Sequence, residues 1–244
     1  MFKDIKQVMK DSVLYGIGNV AVKLVGFILI PLYTDAEYFS TADYGLMGLL
    51  EVTSQILIAV MGLSLYSGLI RWYWDAEYRD KQKTIFFTTL LFTILTSLCI
   101  GSVLWLNVGE LSALLVQQEG YSLGGELPYI LQLLILTSML GAVVEVPQNL
   151  LRLQRKPIYY SLTNIVRLFA TLVLTIYFTI SLHRGVSGVY EAQLVGIVIQ
   201  LLMVLPLVIK NSSCRVDRKC TIQLLAYSYP LVFPDIVGSL LTVF

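Results

Sequence analysis

Long apolar runs divide the chain into seven segments: Val13–Tyr33, Leu46–Leu69, Ile85–Leu106, Tyr129–Leu151, Tyr159–Leu182, Val186–Val208 and Ile222–Phe244. Each is close to the ~20 residues that an α-helix needs to cross a ~30 Å hydrocarbon core. A barrel strand would need only about 9–11 residues of alternating pattern, and the runs show no such alternation. The pattern therefore predicts an all-α integral membrane protein, a polytopic bundle of about seven transmembrane helices.

Composition agrees with this. Of 244 residues, 57% are hydrophobic and only 14% charged, against roughly 25% charged in an ordinary soluble domain, and the mean hydropathy is +0.76. A net charge of +1 gives no footing for nucleic acid. Cys99, Cys214 and Cys220 have neither an even count nor metal-ligand spacing, so they read as free thiols. The basic stretch Met1–Asp11 precedes an apolar run longer than a signal core, and no small-residue cleavage site is evident. An uncleaved first helix is the expectation.

The loops set the orientation, because Lys and Arg favour the cytoplasmic side. Lys3, Lys6 and Lys10 precede the first segment, and the loop Thr34–Asp43 has only Asp35, Glu37 and Asp43 as charges. Arg71, Arg79, Lys81 and Lys83 fill the second loop, whereas Asn107–Pro128 holds only Glu110, Glu119 and Glu126. Arg152, Arg155 and Lys156 mark the fourth loop, and Lys210, Arg215, Arg218 and Lys219 the sixth. Of 17 basic residues, 14 fall on one side, two lie within helices and Arg184 alone falls in an outer loop. The expectation is a multi-pass protein of the inner (cytoplasmic) membrane with its N-terminus in the cytoplasm.

Ionisable residues inside a span are costly, at least about 2.5–3.5 kcal/mol near the centre, and usually face a bundle interior or a hydrated cavity. Six stand out: Lys23, Glu51, Glu145, Arg167, Glu191 and Asp235. Gly16, Asn19, Lys23 and Gly26 share one helical face by their spacing of three and four. Asn164, Arg167, Thr171 and Thr175 form the strongest polar stripe. The fourth segment groups Ser138, Gly141, Glu145, Gln148 and Asn149, and the second groups Glu51, Ser54, Gln55 and Gly62. The small residues among these suit close helix packing. Lys23 and Arg167 either line a cavity or form buried ion pairs with Glu51 or Glu145. Glu191 and Arg71 lie near helix ends and read as topological. Pro230 and Pro234 each remove a backbone donor just before Asp235, which predicts a broken seventh helix, and Pro147 predicts a lesser kink beside Glu145. Interrupted helices with a midplane charge recur in transporter sites.

The exit of the first segment, Ile30-Pro31-Leu32-Tyr33-Thr34, the entry Asp43-Tyr44-Gly45, and the run from Gly62-Leu63 to Arg71-Trp72-Tyr73 resemble the polysaccharide-transport flippases. These belong to the multidrug/oligosaccharidyl-lipid/polysaccharide exporter superfamily, with Wzx-type O-antigen flippases the nearest kind. The resemblance implies two six-helix lobes around a cavity, moving between inward-open and outward-open states. Residues 13–208 would be the N-terminal lobe, after a cytoplasmic segment 1–12; 209–221 would be a cytoplasmic interlobe loop and 222–244 the first helix of a truncated second lobe. It further implies transport of polyprenyl-pyrophosphate-linked oligosaccharide for surface polysaccharide and lipopolysaccharide synthesis, with membrane lipid, a polysaccharide polymerase and other assembly-pathway proteins as partners. Lys23, Arg167, Asn19, Asn164 and Gln55 are then the expected substrate-binding residues. Glu51, Glu145 and Asp235 are the protonatable ones, with no cofactor but coupling to a proton or sodium gradient.

Two alternatives stay within that superfamily: a multidrug-type, cation-coupled exporter, against whose negative walls Lys23 and Arg167 argue, and an inactive fragment of one lobe plus one helix. A seven-helix receptor conflicts with the orientation. A membrane enzyme lacks its chemistry, since the only histidine, His183, stands beside Arg184 in a short loop with no clustered carboxylates.

Overall fold

The computed structural model describes residues 27–35, 37–116, 125–213 and 215–243, which are helical, mostly α-helical, apart from turns and loops. The helices are α1 (the described part, residues 27–33), α2 (Thr41–Gly62), α3 (Leu65–Trp72), α4 (Gln82–Leu106), α5 (Val108–Val116), α6 (Leu127–Leu153), α7 (Pro157–Ile176), α8 (Gly185–Asn211), α9 (Arg218–Ser228) and α10 (Val232–Val243). Thr41–Gly62, Tyr78–Leu106, Leu127–Leu153, Pro157–Ser181, Gly185–Asn211 and Arg218–Gly238 are each long and apolar enough to cross a membrane. These are the second to seventh expected segments; most of the first lies outside the described residues.

α6 is the axis of the bundle. Over half of its apolar window (56%) is buried, against 17–33% for the other spans, and it packs on α2, α4 and α8. Lipid tails are as apolar as leucine, so these helices associate through close packing and interhelical hydrogen bonds worth on average about 0.6 kcal/mol each. Ser54 and Ser138 share one across α2 and α6 at 3.1 Å, and Thr96 Oγ1 of α4 donates to the Met61 carbonyl of α2 at 2.7 Å. Close approach of α7 and α8 depends on Gly196, where a Cβ would sit 2.1 Å from Thr171 Oγ1. Gly68 does the same for α3 and α9 against Leu224.

Three features depart from the sequence pattern. The second segment is two helices rather than one. α2 starts from a reciprocal cap in which Ser40 N donates to Asp43 Oδ2 (2.9 Å) and Asp43 N to Ser40 Oγ (3.2 Å), an arrangement that satisfies otherwise orphaned donors. It stops at Leu63 and Ser64, both left-handed at φ 46° and 50°, a conformation costly for residues with a side chain. The buried Ser64 donates to Asp235 Oδ2 at 2.6 Å and Tyr66 to the same oxygen at 2.9 Å. A bond to a residue 171 positions away thus helps hold the break, and no local pattern announces it.

Second, the outer loop Asn107–Pro128 contains the short helix α5. Third, α8 runs on to Asn211 and α9 begins at Arg218, so the connection is residues 212–217 and shorter than the expected 209–221. The expected break in the seventh segment is not a break: α9 passes into α10 through a single 3₁₀ turn, Tyr229–Leu231, with Pro230 inside it. The backbone stays right-handed helical at Ser228, Tyr229 and Val232, so Arg218–Gly238 is one span with a tightened turn. Pro147 and Pro206 lie within helices that continue through them. Cys99 and Cys220 are free thiols; Cys214 lies outside the described residues.

The charged loops segregate to two ends. Lys81 pairs with Asp217 at 2.7 Å, joining the second and sixth loops. At the other end Arg184 pairs with Glu191, and Tyr129 donates to that carboxylate at 2.8 Å. Glu191 and Arg184 are therefore end-of-helix partners, in keeping with the topological reading of Glu191.

Candidate functional site

The polar stripes of α2, α6 and α7 converge on one cavity of 490 Å³, which α8 closes from the fourth side. α2 supplies Glu51, Ser54 and Gln55; α6 supplies Thr137, Gly141, Glu145, Gln148, Asn149 and Arg152. α7 supplies Tyr160, Asn164, Arg167 and Thr171, and α8 supplies Gln193 and Gln200. Glu51 and Thr137 lie midway along their helices, whereas Arg152 ends α6 and Tyr160 begins α7. The cavity therefore runs from the middle of the spans toward the end that carries the basic loops.

Side-chain amides organise its walls. Asn164 Nδ2 donates to the Tyr160 carbonyl (2.9 Å), Gln200 Nε2 donates to Asn164 Oδ1 (3.0 Å), and Arg167 Nη1 donates to Gln200 Oε1 (3.1 Å). Gln148 Nε2 donates to Thr163 Oγ1 at 2.9 Å, tying α6 to α7. At the mouth the Arg152 guanidinium lies over the Tyr160 ring, 4.6 Å from its centroid, and donates to Asn149 Oδ1 at 3.4 Å. Gln55 Nε2 donates to Glu51 Oε1 at 3.3 Å.

The two expectations for Arg167 can be compared with this geometry. No carboxylate oxygen of the described residues comes within 4.0 Å of it; its partner is Gln200. Glu51 is near enough to interact electrostatically without bonding it. The alternative of an ion pair with Glu51 or Glu145 is thus not met among the described residues, and one guanidinium N–H goes to the Gln200 amide.

Of the expected site residues, Gln55, Asn164, Arg167, Glu51 and Glu145 are brought together in the cavity wall. Asp235 is not part of that lining; its carboxylate is engaged by Ser64 and Tyr66 at the α2–α3 break, within electrostatic range of Glu145. Lys23 and Asn19 lie outside the described residues. Gln193 and Gln200 were missed because α8 carries no continuous polar stripe: the two lie seven residues apart on one face with the apolar Ile197 between them. Arg152, read only as a loop charge, faces the cavity mouth.

Neither a family model nor a curated protein matches the sequence, so the likeness to known proteins is carried by the backbone. The fold is similar to that of an outward-facing multidrug-resistance transporter of the MATE family in the MOP superfamily, at 18% identity and a TM-score of 0.72, covering 96% of this chain and 52% of that one. It is similar also to a MOP-superfamily transporter from Pyrococcus furiosus, described as having a binding pocket of reverse polarity that suggests a different function (19%, TM-score 0.73, 96% and 52%). A MATE transporter of Vibrio cholerae matches at 14% and a TM-score of 0.69, over 96% and 53%. The chain spans about half the length of these solved structures. At such identities the likeness concerns the fold, and the fold of this chain is that of one half of a MATE-type transporter.

Proposed function

We propose that the chain forms one lobe of a multi-pass membrane exporter and that its cavity receives a polar substrate moved by alternating access. The observation that carries this reading is the cavity itself. Two arginines, two glutamates and six side-chain amides line it within helices otherwise apolar enough for lipid, and buried polarity of that cost is retained where a substrate path needs it. Residues 13–208 would be the lobe and the seventh segment the first helix of a second one. The basic loops would face the cytoplasm. Glu51, Glu145 and Asp235 would exchange a proton or sodium ion as the lobe moves.

The solved neighbours favour a multidrug-type exporter, since two of the three described above are MATE transporters and one of these is a multidrug-resistance protein. On that reading Glu51 and Glu145 would receive a cationic compound. The lining favours a second substrate, a polyprenyl-pyrophosphate-linked oligosaccharide. Amides suit sugar hydroxyls, a guanidinium without a bonded carboxylate suits pyrophosphate, and the polyprenyl tail can remain in lipid. The Pyrococcus furiosus protein supports the idea that this fold accommodates pockets of different polarity. We adopt the second reading for the substrate, with polysaccharide-assembly proteins as the partners it entails. The test is binding by the protein in lipid nanodiscs. Undecaprenyl-pyrophosphate-linked sugar should bind and tetraphenylphosphonium should not; the reverse result assigns the multidrug-type function.

A further inference from the structure

Arg167 has no bonded carboxylate among the described residues, and the way it is held can be followed outward from the backbone. The Tyr160 carbonyl accepts from the Asn164 amide nitrogen at 2.9 Å, so only the oxygen of Asn164 can face Gln200. It accepts from Gln200 Nε2 at 3.0 Å, which leaves Gln200 Oε1 to accept from Arg167 at 3.1 Å. A carbonyl that can only accept thus fixes both amides, although an amide's two ends are otherwise interchangeable. Gln200 is 1% exposed and cannot swing away. A glutamate at position 200 could accept from Arg167 and cancel its charge, but it would leave Asn164 Oδ1 without a donor; the neutral amide serves both neighbours and orients the guanidinium without cancelling it.

We infer that Gln200, oriented by Asn164, is a positioning residue that keeps Arg167 available as the anion receptor of the cavity. The inference rests on the reading of the substrate as an anionic, lipid-linked molecule. The shared ligand chemistry is a phosphate or pyrophosphate ester on an apolar tail, which a polyprenyl carrier or a membrane phospholipid could bring.

The probes are geranyl pyrophosphate, uncharged geraniol and lysophosphatidic acid, titrated into the full chain in nanodiscs of uncharged lipid. The variants are Gln200→Glu, which keeps the bond to Arg167 and pairs its charge while losing the bond to Asn164, and Gln200→Met, which loses both bonds and leaves the charge unpaired. For geranyl pyrophosphate, Gln200→Glu should lose at least about tenfold in affinity and Gln200→Met about threefold, as expected when a bond to a charged group is neutralised or misdirected. Geraniol binding should stay unchanged in both. Tighter binding of geranyl pyrophosphate than of lysophosphatidic acid assigns the polyprenyl source, and the reverse assigns a phospholipid; either supports the receptor. Equal binding of geranyl pyrophosphate by Gln200→Glu and the parent chain overturns the inference while leaving the substrate reading intact. A larger loss in Gln200→Met, shared by geraniol, also overturns it, because that pattern belongs to a residue that only packs. Failure of the parent chain to prefer geranyl pyrophosphate over geraniol would overturn the substrate reading itself, and the inference with it.

Discussion

The ends of the bundle and its interior treat charge in opposite ways. At the ends, Lys81 meets Asp217 and Arg184 meets Glu191, each basic group against a carboxylate. In the interior, Arg167 meets the amide of Gln200. A pair at a wet end costs little to separate and contributes little, whereas an ion inside a span is expensive unless it serves something. The end charges are consumed in fixing loops, whereas the interior charge, on the proposed reading, is kept for a ligand.

The largest effect expected from this contrast is at Arg167 itself. On the proposed substrate reading, Arg167→Ala in a complete two-lobed transporter should abolish export of lipid-linked oligosaccharide, while Arg167→Lys should retain part of it. Lysine still supplies a point charge but loses the fork that grips a pyrophosphate from two sides. The double change Arg167→Met with Glu145→Met sharpens the point. A purely structural pair can often be replaced by apolar residues of similar volume, so normal export by the well-expressed double variant would reduce Arg167 to scaffolding and erase the difference between interior and ends.

The next effect is on packing. Arg167 faces Gln200 only because α7 and α8 lie close at Gly196, where a Cβ would meet Thr171 Oγ1 at 2.1 Å and the Arg167 carbonyl at 3.3 Å. Thr171 is branched at Cβ and has little room to turn. Gly196→Ala should lower stability by about 1–3 kcal/mol, the usual cost of overpacking, seen as a lower thermal midpoint in detergent, and should weaken anion binding with it. Gly48→Ala is the control, with nothing within 4 Å of the added Cβ. It should be neutral or slightly stabilising, because alanine exceeds glycine in helix propensity by about 1 kcal/mol. Equal behaviour of the two variants would contradict the close α7–α8 approach.

The cavity was legible in the sequence wherever polarity recurred at helical spacing. Glu51 with Gln55, Glu145 with Gln148, and Asn164 with Arg167 each lie on one face, and those faces do line the cavity. Gln193 and Gln200 share one face of α8 too, but seven residues apart with the apolar Ile197 between them they make no stripe, and amides turn out to organise the wall. The break after Gly62 was not legible, because left-handed Leu63 and Ser64 are held partly by a hydroxyl bond to a carboxylate far along the chain. Prolines were a poor guide to breaks: Pro230 only tightens its helix into a 3₁₀ turn, and Pro147 and Pro206 lie in α-helices that persist, since neighbouring helices in a membrane bundle can accommodate the missing donor. Asp235 shows the limit of reading a lone charge, since its place at that break depends on how α10 docks against α2.

The smallest effect expected is at the basic-loop end, and it tests whether that end behaves as a wet surface. The Asp217 carboxyl is held below its ordinary value, first by the hydrogen bond from Lys81 and then, after a smaller opposing push from desolvation, by backbone N–H groups at the start of α9. A carboxyl depressed in the folded state contributes stability that is present above its unfolded value, ordinarily about 3.9, and lost as the pH falls through the folded one. Asp217→Asn removes the charge but preserves the cap of α9, since asparagine caps a helix as well as aspartate does. The thermal midpoint of the parent chain should therefore exceed that of Asp217→Asn slightly at neutral pH, and the gap should close on acidification below the ordinary carboxylate range. It should also close at about 1 M salt, where the screening length falls to about 3 Å. Arg167 binding should be untouched throughout. A gap that persists in acid and in salt would mean that the pair is shielded as an interior charge is, and the division between spent end charges and a retained interior charge would fail at its outer edge.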